Sequence, residues 1–185
     1  MEEQGRGMEV FSQDGKEAEM TEDKKADQRF KTMRHIETVR NMLNSVIREL
    51  LNRAEQHDQS KLQSPEREVF DEYTQKLRGC TYGSDEYKQF LKEMSGSCLK
   101  HHYENNRHHP EHFKNGVLGM DLVDLIEMFV DWLAATKRHA DGNIMKSIDI
   151  NKKPKLNDSN TLAEIFRNTA LRFYFSETFN HAEES

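Results

Sequence analysis

Cysteine, proline and long apolar runs are scarce in this sequence of 185 residues, which contains two cysteines and three prolines. Cys80 and Cys98 form no CxxC pattern, and two isolated cysteines fit a reducing compartment better than a disulfide framework. No apolar run approaches the roughly 18–20 residues that a membrane span requires. The N-terminus also lacks the hydrophobic core of a signal peptide. We therefore expect a cytoplasmic protein that does not contact a membrane.

Large apolar side chains are also few near the N-terminus. Residues 1–28 contain nine acidic and four basic residues, so this segment has a net charge of −5, against −6 for the whole chain. Such a segment cannot bury enough surface to offset its ordering entropy, and we predict a disordered acidic tail. The rest of the chain is nearly neutral, which argues against a dedicated DNA-binding domain. A small anionic substrate is still compatible with it if a bound metal supplies local positive charge.

The pattern of apolar residues is helical throughout. From about Phe30 to Gln56 they recur at three- and four-residue steps, which predicts a helix with one apolar stripe. Further helices are predicted to begin after Ser64-Pro65, at Ser84-Asp85, near Met120 and near Asn160. Residues 103–118 are expected to be irregular, and the polar, lysine-rich residues 141–157 to form a loop. The sequence thus predicts a single all-α domain of about five to six helices over residues 29–175, followed by a C-terminal tail over 176–185.

Histidine is the residue type that points to a function. Five of the nine histidines lie between His101 and His112. Neutral imidazole nitrogens and carboxylate oxygens are the ligands that suit Zn, Mn, Fe, Ni or Co at neutral pH. This crowding favours a metal site, although a solvated histidine-rich loop has the same composition.

A second set of candidate ligands follows in a fixed order along the chain: His35, the adjacent pair His57-Asp58, and Asp131. Asp131 stands in an apolar stretch, where an unpartnered carboxylate is costly to bury. His35 precedes His57 by 22 residues, so the two meet only if the chain reverses near residue 50 or if packing brings helix ends together. The alternative interpretations are a polar helix end at His57-Asp58 and a solvent-facing Asp131.

These residues resemble the HD superfamily of metal-dependent phosphohydrolases, whose motif is a histidine, then His-Asp, then a distal aspartate on helices around a metal. The chain is more closely similar to an uncharacterised HD-like family of phage and bacterial proteins. The resemblance covers roughly residues 30–135 and depends on the segments HDQSKL (57–62), HHYENNRHHPEHF (101–113) and EMFVDW (127–132).

The resemblance implies a role for each residue. One or two divalent ions, such as Zn, Mn, Fe, Ni or Co, would be bound by His35, His57, Asp58, His102, His109 and Asp131. His102 is preferred over His101, and His109 over His108. Asp58 and Lys61 would act in catalysis, and the substrate would be contacted by Lys61, Arg107 and His108. Asn106 or Glu111 could orient an imidazole. For Lys61 and Arg107 the alternative is an ordinary surface position.

The expected function is hydrolysis of a nucleotide or another small phosphoester. A bound divalent ion lowers the pKa of water from ~16 toward ~7 and so supplies a nucleophile at neutral pH. Two alternatives stay open: an HD-fold di-iron oxygenase, and a non-catalytic protein that binds or sequesters a nucleotide. A homodimer is compatible with the resemblance, but the sequence singles out no interface.

Overall fold

The computed structural model describes residues 22–81, 84–94, 96–138 and 142–174. Within these ranges the chain forms seven α-helices and no strand, which confirms the predicted all-α class. The helices are α1 (Glu22–Gln56), α2 (Glu66–Arg78), α3 (Asp85–Met94), α4 (Ser97–Asn105), α5 (Leu122–Thr136), α6 (Ile144–Lys155) and α7 (Asn160–Tyr174). None of these helices combines the length and the apolar composition that crossing a bilayer requires.

The chain divides into two compact units, residues 1–45 and residues 46–185. The described part of the first unit belongs to α1, which begins at Glu22. Residues 22–28, predicted as part of the disordered tail, are therefore helical. An ion pair one helical turn apart, Lys31 with Asp27 at 2.6 Å, supports the helix in this charged region. Residues 1–21 and 176–185, the rest of the predicted tails, lie outside the described residues.

The hydrophobic core of the second unit lies between α5, α6 and α7. Its buried side chains are Met128, Phe129, Trp132, Ile144, Ile148, Leu156, Ala163, Phe166 and Ala170. The Phe166 ring contacts Phe129 and Trp132 at centroid distances of 5.1 and 5.7 Å. This packing fixes one face of α5, and its opposite face is thereby available for polar side chains.

The prediction of a loop over residues 141–157 is wrong for most of that segment, because α6 occupies Ile144–Lys155. Asn143 caps the helix by accepting hydrogen bonds from the backbone of Met145 and Lys146. Two of the buried positions of α6 are polar, Ser147 and Asn151. The Asn151 amide donates to the Ser147 carbonyl at 2.9 Å, so it is satisfied within the helix. Polar residues on the inward face concealed the helical period in the sequence.

The helix predicted to begin at Ser84-Asp85 is divided into α3, which ends at Met94, and α4, which begins at Ser97. Because α4 continues to Asn105, His101 and His102 lie inside a helix. Two short 3-10 turns, Pro110–His112 and Gly116–Gly119, lie within the segment predicted to be irregular. α2 packs against both α3 and α4.

Candidate metal centre

The His57-Asp58 pair lies at the point where α1 ends. Asp58 has φ 56° and ψ 12°, a left-handed conformation that aspartate tolerates better than most residues. The next residues form a 3-10 turn, and the Lys61 amide donates to the Asp58 carbonyl at 2.9 Å. Backbone conformations of this kind are concentrated at functional sites. The turn places the Asp58 carboxylate between two groups of candidate ligands.

The first group consists of His57, Asp58 and Asp131. His57 Nε2 lies 3.5 Å from Asp58 Oδ2 and 3.6 Å from Asp131 Oδ1. The three side chains are 29%, 17% and 26% exposed, so this group is open to solvent. Three protein ligands leave coordination positions for water or substrate, as in catalytic metal sites.

The second group adds three histidines to the same aspartate: Asp58, His102, His108 and His109. Asp58 Oδ1 lies 3.5 Å from His102 Nε2 and 3.6 Å from His108 Nε2. His102 Nε2 and His109 Nε2 are 2.9 Å apart. The side chains of His102 and His108 are almost fully buried. Each oxygen of Asp58 therefore faces a different group, so this carboxylate could contribute a ligand to either group.

Unsatisfied polar atoms mark the same place. Asp58 Oδ1 and both ring nitrogens of His108 are buried without a hydrogen bond. Buried polar groups in proteins are normally bonded, and each exception calls for an explanation such as an ion. His108 Nδ1 lies 3.2 Å from Glu127 Oε1, without hydrogen-bond geometry. The donor set of imidazoles and carboxylates, together with these unpaired atoms, fits a divalent transition metal.

Two glutamates lie behind the imidazoles. Glu127 Oε1 is 2.8 Å from His57 Nδ1, and Glu66 Oε2 is 2.8 Å from His102 Nδ1. Each bond assigns a proton to Nδ1 and leaves Nε2 of the same ring, on the side of the ligand group, able to coordinate. Metal-ligating histidines in proteins commonly have such carboxylate partners, which fix the tautomer and the orientation of the ring. Glu127 also completes a third ligand group with His57 and His108.

Two arginines support these carboxylates. Arg53 donates to Glu127 Oε2 at 2.7 Å and to Asp124 Oδ1 at 2.6 Å. Arg107 donates to both oxygens of Asp124 at 3.0 and 2.8 Å. Asp124 is fully buried, and it also forms a capping box at the start of α5 with Asp121, the N-cap residue. The network connects the end of α1 to α5 and holds Glu127 in position.

The protonation states of His102 and His109 match the requirements of a metal site, whereas that of His57 does not. Burial lowers the pKa of His109, and burial together with the Lys61 charge lowers the pKa of His102, so both rings are neutral at neutral pH. The neighbouring carboxylates of Asp131 and Glu127 raise the pKa of His57 to about 10. Although burial opposes it, the interaction with His57 lowers the pKa of Asp131, which stays ionised. In the metal-free protein His57 is therefore a cation, and a metal would have to displace its proton.

Several residues predicted from sequence lie elsewhere or make other contacts. His35 is exposed on α1, and no ligand group among the described residues includes it. His108, assigned above to the substrate, lies among the ligands instead. Arg107 pairs with Asp124. Glu111, one of the two residues suggested to orient an imidazole, pairs with Lys155.

The remaining predicted residues lie at the ligand groups. Lys61 Nζ donates to Asp58 Oδ2 at 2.5 Å and sits 4.8 Å from the centre of the Phe70 ring. Asn106 lies 3.1 Å from His102 Nδ1 and donates to Ser60 Oγ at 2.8 Å, so it does contact a candidate ligand.

Glu66 and Glu127 were missed in the sequence. For Glu127 a signal exists, because Asp124, Glu127 and Asp131 recur at three- and four-residue steps and so share one face of an apolar helix. Glu66 has no comparable signal. It is one of several acids in the first turn of α2, and only packing against α4 brings it to His101 and His102.

Fold and site together define an all-helical protein with a candidate metal centre at the junction of α1, α4 and α5. A protein-family model described as "Family of unknown function (DUF5662)" matches residues 24–172, and the chain belongs to this family. No curated protein and no solved structure matches the chain.

Proposed function

We propose that this protein is a metal-dependent phosphohydrolase of the HD type that acts on a nucleotide or another small phosphoester through metal-activated water. The observation on which the proposal depends is the shared carboxylate of Asp58, with the buried His102 and His108 and the partly buried His109 on one side and the partly exposed pair His57 and Asp131 on the other. When bound, a divalent ion lowers the pKa of water and stabilises negative charge on a phosphoryl oxygen.

The two groups have different roles in this proposal. His102, His108 and His109 with Asp58 make a set of four ligands that is largely withdrawn from solvent, which suits an ion that is held permanently. His57, Asp58 and Asp131 make the open set, at which a substrate has access. The ligands His57, Asp58, His102, His108, His109 and Asp131 all belong to the second unit.

Lys61 provides positive charge at the open group. Its ammonium is one-third exposed and bound to Asp58, so it is within reach of both the carboxylate and solvent. When Asp58 coordinates metal, its negative charge is shared with the ion, and the ammonium becomes available to a substrate phosphate. Arg107 does not take this role, since both oxygens of Asp124 engage its guanidinium.

The first test is the metal content of untagged protein, followed by phosphatase and phosphodiesterase assays with the metal that is found. We expect near-stoichiometric metal in the wild type and loss of both metal and activity in His57→Ala/Asp58→Ala. His35→Ala is the matched control, because it removes an imidazole outside the ligand groups, and it should retain metal and activity. Activity that survives the double substitution would refute the proposal. If the bound metal is a pair of irons, the result would favour the alternative of a di-iron oxygenase. If a nucleotide is recovered intact after long incubation, the result would indicate binding without turnover.

A further inference from the structure

The longest helix exposes a broad apolar surface. Nine large apolar side chains of α1 are between 41% and 67% exposed: Phe30, Met33, Ile36, Val39, Met42, Leu43, Val46, Ile47 and Leu51. A soluble monomer rarely exposes a contiguous apolar patch above a few hundred Å². Phe30 lies on the polar side of the helix, and the other eight share one side. Since a half-exposed large side chain leaves on the order of 100 Å² in contact with water, these eight leave about 800 Å².

The spacing of these residues is that of a helix–helix interface. Ile36, Val39, Leu43, Val46 and Leu50 alternate steps of three and four, which is the spacing of the buried positions in a coiled coil. The opposite stripe of α1 is polar and consists of Lys31, Arg34, Thr38, Asn41, Ser45, Arg48 and Asn52. The helix therefore has one face for water and one for a protein partner.

The first unit needs such a partner to be stable. Its described residues are a single helical segment, 22–45, and an isolated helix in water is marginal because tertiary packing supplies most helical stability. The terminal segments 1–21 and 175–185 are acidic and poor in large apolar side chains, so they are weak candidates to cover the face. In the second unit, α5 adds an exposed apolar stripe of its own, Leu122, Ile126 and Val130.

We propose that the apolar face of α1 is a homodimer interface, occupied by the same face of a second copy of this chain. The estimated area matches the ~800 Å² per partner of a standard interface. A single face that contacts its own copy generates a closed two-fold dimer, the commonest symmetric assembly. This inference does not depend on the proposed function, because none of the apolar residues on this face of α1 is a candidate metal ligand.

The test is the mass of the full-length protein in solution, measured by sedimentation equilibrium between about 1 and 100 µM, a range that brackets interfaces of this size. We expect twice the 21.8 kDa of one chain. Leu43→Glu and, separately, Val39→Glu should raise the dimer dissociation constant at least ~100-fold, because each places an unpaired carboxylate at a buried position of the interface. Asn41→Glu, on the polar stripe, is the matched control and should stay dimeric.

Circular dichroism and metal content separate loss of the interface from loss of the fold. Bound metal should be unchanged in Leu43→Glu, since the ligands lie in the second unit, and any loss of helix content should be limited to the part of α1 in the first unit. A wild type that is monomeric over the whole range would overturn the proposal, and would indicate that α1 folds back or is covered by a terminal segment. A dimer that persists in both glutamate variants, or is lost equally in Asn41→Glu, would overturn it as well.

Discussion

Substitution of Glu127 by glutamine is the sharpest test of how the centre is organised. Glu127 is hydrogen-bonded to Arg53 Nε at 2.7 Å and to His57 Nδ1 at 2.8 Å, and it lies 3.2 Å from His108 Nδ1 without a hydrogen bond. One carboxylate oxygen serves the histidines and the other serves the arginine. A glutamine of the same shape has one acceptor oxygen and one NH₂ group, so an N–H must face another N–H in either orientation.

We expect Glu127→Gln to weaken metal binding at the open group by 10- to 100-fold, the usual effect of removing a carboxylate behind a ligating histidine. This corresponds to about 1.4–2.8 kcal/mol of binding free energy. The measurement is a competition titration against a chelator of known affinity, using the metal found in the wild type. The dissociation constant for His57→Ala provides the upper limit of the effect.

The matched control is Glu164→Gln on α7, where the carboxylate is 61% exposed and pairs with Arg167. It should bind metal as the wild type does. Urea unfolding of the metal-free variants is needed in parallel, because Glu127 also binds Arg53 and its loss affects stability. Unchanged metal affinity in Glu127→Gln, with the fold intact, would refute the inference that this carboxylate orients His57 and His108.

Three further predictions address the same centre. Asp124→Asn should destabilise the metal-free protein by about 2–3 kcal/mol in urea unfolding, because Arg107 and Arg53 each lose a hydrogen bond to a buried carboxylate while Arg53 keeps Glu127; a loss below ~1 kcal/mol would contradict this. Glu66→Gln should weaken metal binding at the four-ligand group but not at the open group, and elemental analysis should then show one metal lost and one retained. Metal binding should release about one proton per open group at pH 8, because the pKa of His57 is raised to about 10 and its proton competes with the ion. Affinity should accordingly rise with pH up to about 10, and a calorimetric enthalpy that does not depend on the buffer would contradict this.

Part of this site could be predicted because the sequence places its residues beside strong local signals. His57-Asp58 follows a long amphipathic pattern, so a helix end was expected there, and α1 does end at Gln56. Asp131 lies among large apolar residues, where a carboxylate needs a partner, and it lies 3.6 Å from His57. Both arguments are local in sequence and need no knowledge of how the helices pack.

The choice between neighbouring histidines depends on packing and could not be made from sequence alone. In α4, His101 and His102 both bond Glu66, but His102 is buried beside Asp58 whereas His101 is 40% exposed. A rotation of about 100° separates neighbouring residues on a helix, so the docking of α4 on α2 decides which ring faces inward. The pairing of His35 with His57 needed a chain reversal near residue 50 or packing between helix ends, and no ligand group among the described residues includes His35.

The helix α5 connects the hydrophobic core to the candidate metal centre, because its two faces take part in one each. Met128, Phe129 and Trp132 anchor the helix in the core, and Glu127 and Asp131 follow on the other side at the spacing that the helix dictates. These carboxylates lie near neutral imidazoles and near Asp58 Oδ1, which has no hydrogen bond. Burying their negative charges there costs free energy unless a cation balances them. In the metal-free protein Arg53 engages Glu127 and Asp124, Lys61 pairs with Asp58, and the protonated His57 lies beside Asp131. A divalent ion would displace the proton of His57 and take over the balance of charge beside the two aspartates, where three ligands leave space for a substrate.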